Sequence, residues 1–329
     1  MNAKVLIIAA ILVLLIGAFS YFQLSEVTSS GEAEKVEHQW YIEANDFIEE
    51  SDNDKSKGLQ EAIDFAVDSN IGKVKLLGNA TFTLNSGLLL KEGVALELGE
   101  NTRLSVEGDF RVIEMEENSS LSNGFIEINT EEFSSEVIYL DGRSQFWSWG
   151  KTKVENVALI NTTGTNQGIG LSLHSREADH YVSFVNFNNI NIVGFETGIR
   201  LQADNPDEEE GYSWVNGNRF HNITLDSCVY CIELNSSVTI PDEVTGNSFQ
   251  GLQVQLSDIT EKVLSISGSD NRFEGVIWDV HLIEHEEAVI EFTQDSYQNK
   301  LSSNMRDGYI EDNGESNYSI SPGESGDTN

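Results

Sequence analysis

Few residues in this 329-residue chain combine a reactive type with a useful spacing. The acidic run Asp204, Asp207, Glu208, Glu209 and Glu210 offers oxygens that suit a hard cation such as calcium, or an acid/base pair. In "VIWDVHL", strand alternation puts Val276, Trp278 and Val280 on one face and Asp279 with His281 on the outer one. Asp279 and His281 would then be within hydrogen-bond range as a general base, with no serine or cysteine nucleophile beside them. The plainer readings are a solvated loop tip for the first and an exposed strand pair for the second. Aromatics in polar surroundings are a third candidate: Phe146, Trp147 and Trp149 in one segment, Tyr212 and Trp214 in another. Their rings suit stacking on the apolar face of a sugar, unless Trp147 or Trp149 folds back over the core. Cys228 and Cys231 form a lone C-x-x-C, too few ligands for zinc. They sit in "DSCVYCIEL", which reads as turn and strand, so buried thiols or a local disulfide fit better than redox chemistry.

Composition narrows the partners. With 19 Lys+Arg against 55 Asp+Glu, the formal charge of −36 repels phosphate backbones and excludes nucleic acid. Such an excess of carboxylates also keeps a surface hydrated at high salt, which suits a halophilic source. Residues 5–22, "VLIIAAILVLLIGAFSYF", are apolar almost throughout and as a helix span about 27 Å, near the thickness of a bilayer core. Lys4 precedes them and Glu26, Glu32 and Glu34 follow, so the bulk of the chain is expected outside the membrane. A signal anchor fits this long run better than a cleaved signal peptide, which would leave a secreted protein. The expected organisation is an anchor over 1–25, an acidic stalk over 26–50, a folded body over 51–305 and an acidic tail over 306–329, disordered past about 315.

The elements that must position any site are short. Leu59, Ala62, Ile63 and Ala66 follow the i, i+3, i+4, i+7 pattern of one amphipathic helix. From residue 73 onward the pattern changes to alternations such as Leu88 and Leu90, then Val94, Leu96 and Leu98, closed by Gly, Asn and Ser turns. "GNRFHNITLDS", "GNSFQGLQVQLS" and "DNRFEGVIWDV" then align Asn218, Asn247 and Asn271 with Phe220, Phe249 and Phe273. A weaker copy follows at Asn299 and Leu301, and an earlier one surrounds Phe187. The asparagines recur at spacings of 29, 24 and 28 residues, room for two or three short strands and their turns. A propeller blade needs about 40 residues, so the period predicts one turn of a parallel β-helix with stacked Asn and Phe ladders.

Residues 59–98, "LQEAIDFAVDSNIGKVKLLGNATFTLNSGLLLKEGVALEL", resemble the opening segment of the pectin-lyase-like superfamily. With the N-x-F repeats, the resemblance runs over about 59–305. It implies an all-β, single-stranded, right-handed parallel β-helix with a short N-terminal capping helix. It also admits several functions, since pectate lyases, polygalacturonases, phage tailspike depolymerases and surface adhesins are all similar at this level. The polygalacturonase strings N-T-D, D-D, G-H-G and R-I-K are absent, and none of Pro206, Pro241 and Pro322 lies near a suitable arginine. No catalytic residue is carried over from the family.

In such a coil the long segments from Asp141, His174, Ala203 and Asn235 project from one side and build a wall or groove. The leading expectation is a membrane-anchored extracellular β-helix that binds a polysaccharide, a cell-surface glycan or another surface through these loops. Trp147, Trp149, Tyr212 and Trp214 are the binding candidates; Asp204, Asp207, Glu208, Asp279 and His281 are the catalytic ones. The alternatives are a polysaccharide lyase or hydrolase with unrecognised carboxylates, and a structural or host-recognition part of a virion or cell surface. No motif calls for a cofactor.

Overall fold

Short half-buried runs closed by turns every few residues form strands that bury one face, and stacking such strands in register satisfies both their backbones and their apolar faces. The computed structural model describes residues 40–206, 211–237, 242–283 and 288–320. The apolar segment 5–22, the rest of the chain up to residue 39, and Asp207 and Glu208 lie outside the described residues. No helix among the described residues is long and apolar enough to cross a membrane. The chain from Tyr41 onward forms one unit, and the architecture is that unit's.

The strands pair in parallel throughout the described residues. They wind as a parallel β-helix of about nine turns, the architecture expected from the repeat and the resemblance. A 14-stranded first sheet and a 12-stranded second sheet form its walls. The long strands Lys153–Asn161, Asn186–Val193, Arg219–Asp226 and Ser248–Gln255 stack on one another. Each bends at a residue in the left-handed region, Asn156, Asn189, Asn222 or Gly251, with φ between 54° and 70°. Asparagine and glycine tolerate that conformation, so one strand turns a corner without breaking its pairing.

Two ladders hold the turns in register. Phe187, Phe220, Phe249 and Phe273 are buried and stack face to face, with centroids 4.6, 4.2 and 5.0 Å apart. Asn218, Asn247 and Asn271 are buried too, each amide donating to the Oδ1 of the asparagine one turn on, at 3.0–3.1 Å. Each also donates to a carbonyl of the turn before, that of Val182, Val215 or Val244, so these buried amides are satisfied. The helix Ser56–Asp68 covers the first turn with Leu59, Ala62, Ile63 and Ala66, all fully buried.

The coil is longer than the expected limits of 51 and 305. At its start Ile42–Glu43, inside the stretch read as stalk, pairs with Val74–Lys75. At its end Ile310–Asp312 and Tyr318–Ile320 add further parallel strands, so the tail is structured at least to residue 320. Asn317 is the reason: its Oδ1 accepts from the Asn299 amide at 3.0 Å and adds a rung to the ladder. Cys228 and Cys231 are free and buried, without the local disulfide.

Candidate functional site

The strands Glu136–Asp141, Ile169–Ser175, Thr197–Ala203 and Tyr230–Asn235 lie side by side in the second sheet. Their register aligns Asp141, His174, Gln202 and Asn235 at the ends of the strands. Two residues earlier, Tyr139, Ser172, Arg200 and Glu233 form a second row. The long segments expected to share one side of the coil therefore do so, because each leaves the same edge of the same sheet.

The outer face of these strands carries a polar cluster. His174 Nε2 lies 2.7 Å from Asp204 Oδ2, and Gln202 Nε2 donates to Asp204 Oδ1 at 2.6 Å. Arg176 donates from Nε to His174 Nδ1 at 3.3 Å and from Nη2 to the Tyr139 hydroxyl at 2.6 Å. A guanidinium has no lone pair to offer, so His174 Nδ1 accepts and Nε2 carries the hydrogen that faces Asp204. The Tyr139 hydroxyl is 3.4 Å from Asp141 Oδ2, and the Arg111 guanidinium lies 3.8 Å over the Tyr139 ring. Burial and the Asp141 charge push the Tyr139 hydroxyl up to about 12, against the pull of Arg176 and Arg111. The cluster combines hydrogen-bond donors, a carboxylate–imidazole pair and a phenol within reach of the loop edge.

Beyond the segment 176–180 the chain re-enters the sheet at Tyr181–Ser183, which pairs with Ser213–Asn216. Tyr181 and Trp214 stack with centroids 4.9 Å apart and planes 3° from parallel, and the Trp214 indole donates to Ser183 Oγ at 3.1 Å. Trp147 meets Tyr181 edge-on at 5.6 Å and Phe184 at 5.1 Å. Trp149 lies 5.9 Å from Trp147 with 74% of its surface exposed. Trp147, Trp149 and Trp214 thus belong to one aromatic strip. Trp147 is partly covered by its neighbours and Trp149 is not. Tyr212, two residues before Trp214 and just outside its strand, is 44% exposed. Glu243 aligns with Trp214 one turn on, and desolvation raises its carboxyl above the ordinary range.

Of the catalytic candidates, Asp204 joins the polar cluster, while Asp207 and Glu208 lie outside the described residues. The expected alternation through "VIWDVHL" does not hold. Alternation from the buried Phe273 points Ile277 inward and leaves Trp278 51% exposed, while the extra residue in the pairing, Gly251, lies on the neighbouring strand. The strand ends at Trp278, Asp279 takes φ 55°, and Val280–Leu282 form a 3-10 turn. His281 Nδ1 and Asp279 Oδ1 are 3.9 Å apart, beyond the hydrogen-bond range expected of them. Tyr139, His174, Arg176 and Tyr181 were not singled out from the sequence. No group of three or more His, Cys, Asp or Glu among the described residues is placed to hold a metal.

No family model matches the chain, and no curated protein does. Among solved structures it is similar to the tailspike of E. coli bacteriophage HK620 in complex with a hexasaccharide. That match has 10% identity and a TM-score of 0.39 over 86% of this chain, which spans 64% of the tailspike's length. The mannuronan C-5 epimerase A-module of Azotobacter vinelandii matches with 15% identity and a TM-score of 0.31, covering 86% of this chain and 97% of that one. The Streptococcus pneumoniae surface adhesin PfbA matches with 12% identity and a TM-score of 0.32, covering 87% and 93%. Likenesses this distant carry no residue roles, and the fold rests on the strand pairing itself.

Proposed function

We propose that the protein binds a glycan along the loop-bearing side of the coil. The observation that carries this reading is the aromatic strip Trp149, Trp147, Tyr181 and Trp214, laid over neighbouring turns with Trp149 left open to solvent. Solitary exposed aromatics are common on proteins, but contiguous aromatic surface on a rigid scaffold marks a binding site. Saccharide rings stack on such faces while their hydroxyls bond to neighbouring polar groups. The apolar segment 5–22 and the charges around it support display outside a membrane. The test is retention of the full-length protein, in detergent, on immobilised neutral and acidic polysaccharides. Retention that Trp149→Ala reduces supports the reading; no retention on any polymer removes it.

A second reading, a polysaccharide lyase or hydrolase, is favoured by one observation. The 2.7 Å Asp204–His174 contact sits in one hydrogen-bonded cluster with the Tyr139 hydroxyl. Release of shortened chains from the same polymers, lost in His174→Ala, would select it over binding alone.

A further inference from the structure

Four of the chain's eight arginines, Arg111, Arg143, Arg176 and Arg200, gather on the outer face of the second sheet. Three of them answer to carboxylates. Arg111 Nε is 3.1 Å from Glu136, Arg143 Nη2 is 3.3 Å from Glu114, and Arg200 Nη2 is 2.8 Å from Glu233. Arg176 differs. It is exposed, its two hydrogen bonds go to uncharged acceptors, the Tyr139 hydroxyl and His174 Nδ1, and no carboxylate pairs with it among the described residues.

Among the described residues, this arrangement orients a cation without pairing it with a carboxylate. The bonds to Tyr139 and His174 use one hydrogen on Nε and one on Nη2. Three of the five guanidinium hydrogens remain, two on Nη1 and one on Nη2, and such donors suit an oxyanion. The two acceptors are themselves held: His174 by Asp204 on its other nitrogen, and Tyr139 under the ring-stacked Arg111. In a chain of formal charge −36, an exposed guanidinium built into place and left without a counter-ion among the described residues is unusual.

We infer that Arg176, set by Tyr139 and His174, is the docking group for an anionic substituent, a carboxylate or a sulfate ester, on the bound saccharide. This rests on the glycan reading and gives that ligand a chemical class. Neighbouring carboxylates set its limits. Asp141 and Asp204 flank the cluster, and Glu114, Glu136 and Glu233 are engaged by the other arginines. One anionic group fits at Arg176, and a densely charged ligand is repelled. The preferred saccharide therefore carries isolated rather than contiguous charges.

The test uses the full-length protein in detergent on three forms of one polysaccharide backbone: unmodified, sparsely carboxylated and sparsely sulfated. A parallel NMR titration uses free glucuronate and glucose 6-sulfate, with glucose as the neutral control. One or both anionic polymers are expected to be held about tenfold more tightly than the neutral one. Which of the two is held separates carboxylate from sulfate. Arg176→Ala removes that preference without lowering the unfolding temperature, and Arg176→Lys restores only part of it, since an ammonium lacks the fork. Equal retention of all three polymers, or a preference that survives Arg176→Ala, overturns the assignment while leaving glycan binding intact. Retention of none, with glucuronate or sulfate still shifting signals in an Arg176-dependent way, removes the glycan reading but keeps the anion site. No response to either polymer or small anion removes both.

Discussion

Tyr181 and Trp214 lie 33 residues apart in the chain, yet their rings stack 4.9 Å apart within 3° of parallel. The cause is register. Each sits four residues before the position at which the Asn-ladder turn joins the next strand, Val185 for Tyr181 and Asn218 for Trp214. Val185 N donates to Asn218 Oδ1 at 3.0 Å, which fixes the two turns directly over each other. The strip of aromatics is thus a consequence of the ladder, and anything that loosens the ladder should disorder the strip.

Asn247→Leu tests that link. Asn247 Oδ1 accepts from the backbone and side chain of Asn218, and its amide donates to Asn271 Oδ1 and the Val215 carbonyl. Removing it strands several buried polar groups, each costing about 1–3 kcal/mol, so a loss of roughly 3–5 kcal/mol is expected by denaturant unfolding. A loss below about 1 kcal/mol would mean that the ladder is replaceable by apolar packing.

The ladder was also what the sequence showed best. Asn218, Asn247 and Asn271, each two residues before a phenylalanine, mark the interior of the coil, where side-chain type is dictated by stacking. Asn317 escaped because no phenylalanine follows it and its spacing from Asn299 is only 18 residues. The polar cluster was hidden for another reason. His174 and Asp204 meet across 30 residues of chain, and outward positions obey no repeat, so only the strand register brings them together. Asp279 and His281 depart from the expected pattern because Phe273 sets the phase of the strand, which puts Ile277 rather than Val276 and Trp278 inside, and because the strand ends at Trp278. Tyr181 is legible in the repeat, standing four residues before Val185 as Trp214 stands four before Asn218.

Tyr139 predicts an alkaline weakness. Its folded-state value of about 12 exceeds the unfolded value near 10, so above pH 10 the unfolded chain gives up the phenolic proton first. The stability it contributes is complete below pH 10 and is lost as pH rises towards 12, about 3 kcal/mol in all. Tyr230, raised to about 12 by its hydrogen bond to Glu261, titrates over the same window, so the comparison is with Tyr139→Phe. Phenolate absorbance and unfolding free energy from pH 9 to 12 should show a shallower decline in Tyr139→Phe than in the parent.

Cys228 and Cys231 should be inert in the native protein. Burial pushes the Cys228 thiol up to about 11 and the Cys231 thiol well above its ordinary range, so neither offers a thiolate near neutrality. Intact-mass measurement after iodoacetamide at pH 8 is expected to show no adduct on the native protein and two on the denatured one. Adducts on the native protein would place a thiol at the surface.

Salt should stabilise the fold. With 55 acidic side chains against 19 basic ones, self-repulsion is a long-range cost that a Debye length of about 3 Å at 1 M salt removes. The unfolding temperature is expected to rise between about 0.1 and 1 M sodium chloride. A flat or falling profile would count against adaptation to high salt.

The most direct measurement is retention of the full-length protein and its Trp149→Ala variant on the polysaccharide panel, scored beside their unfolding temperatures. Trp149 is 74% exposed, so its loss should leave stability within about 0.5 kcal/mol. Glycan recognition through the aromatic strip predicts retention of the parent protein and about a tenfold loss in Trp149→Ala at unchanged stability. Equal retention of both proteins, or of neither, would contradict it.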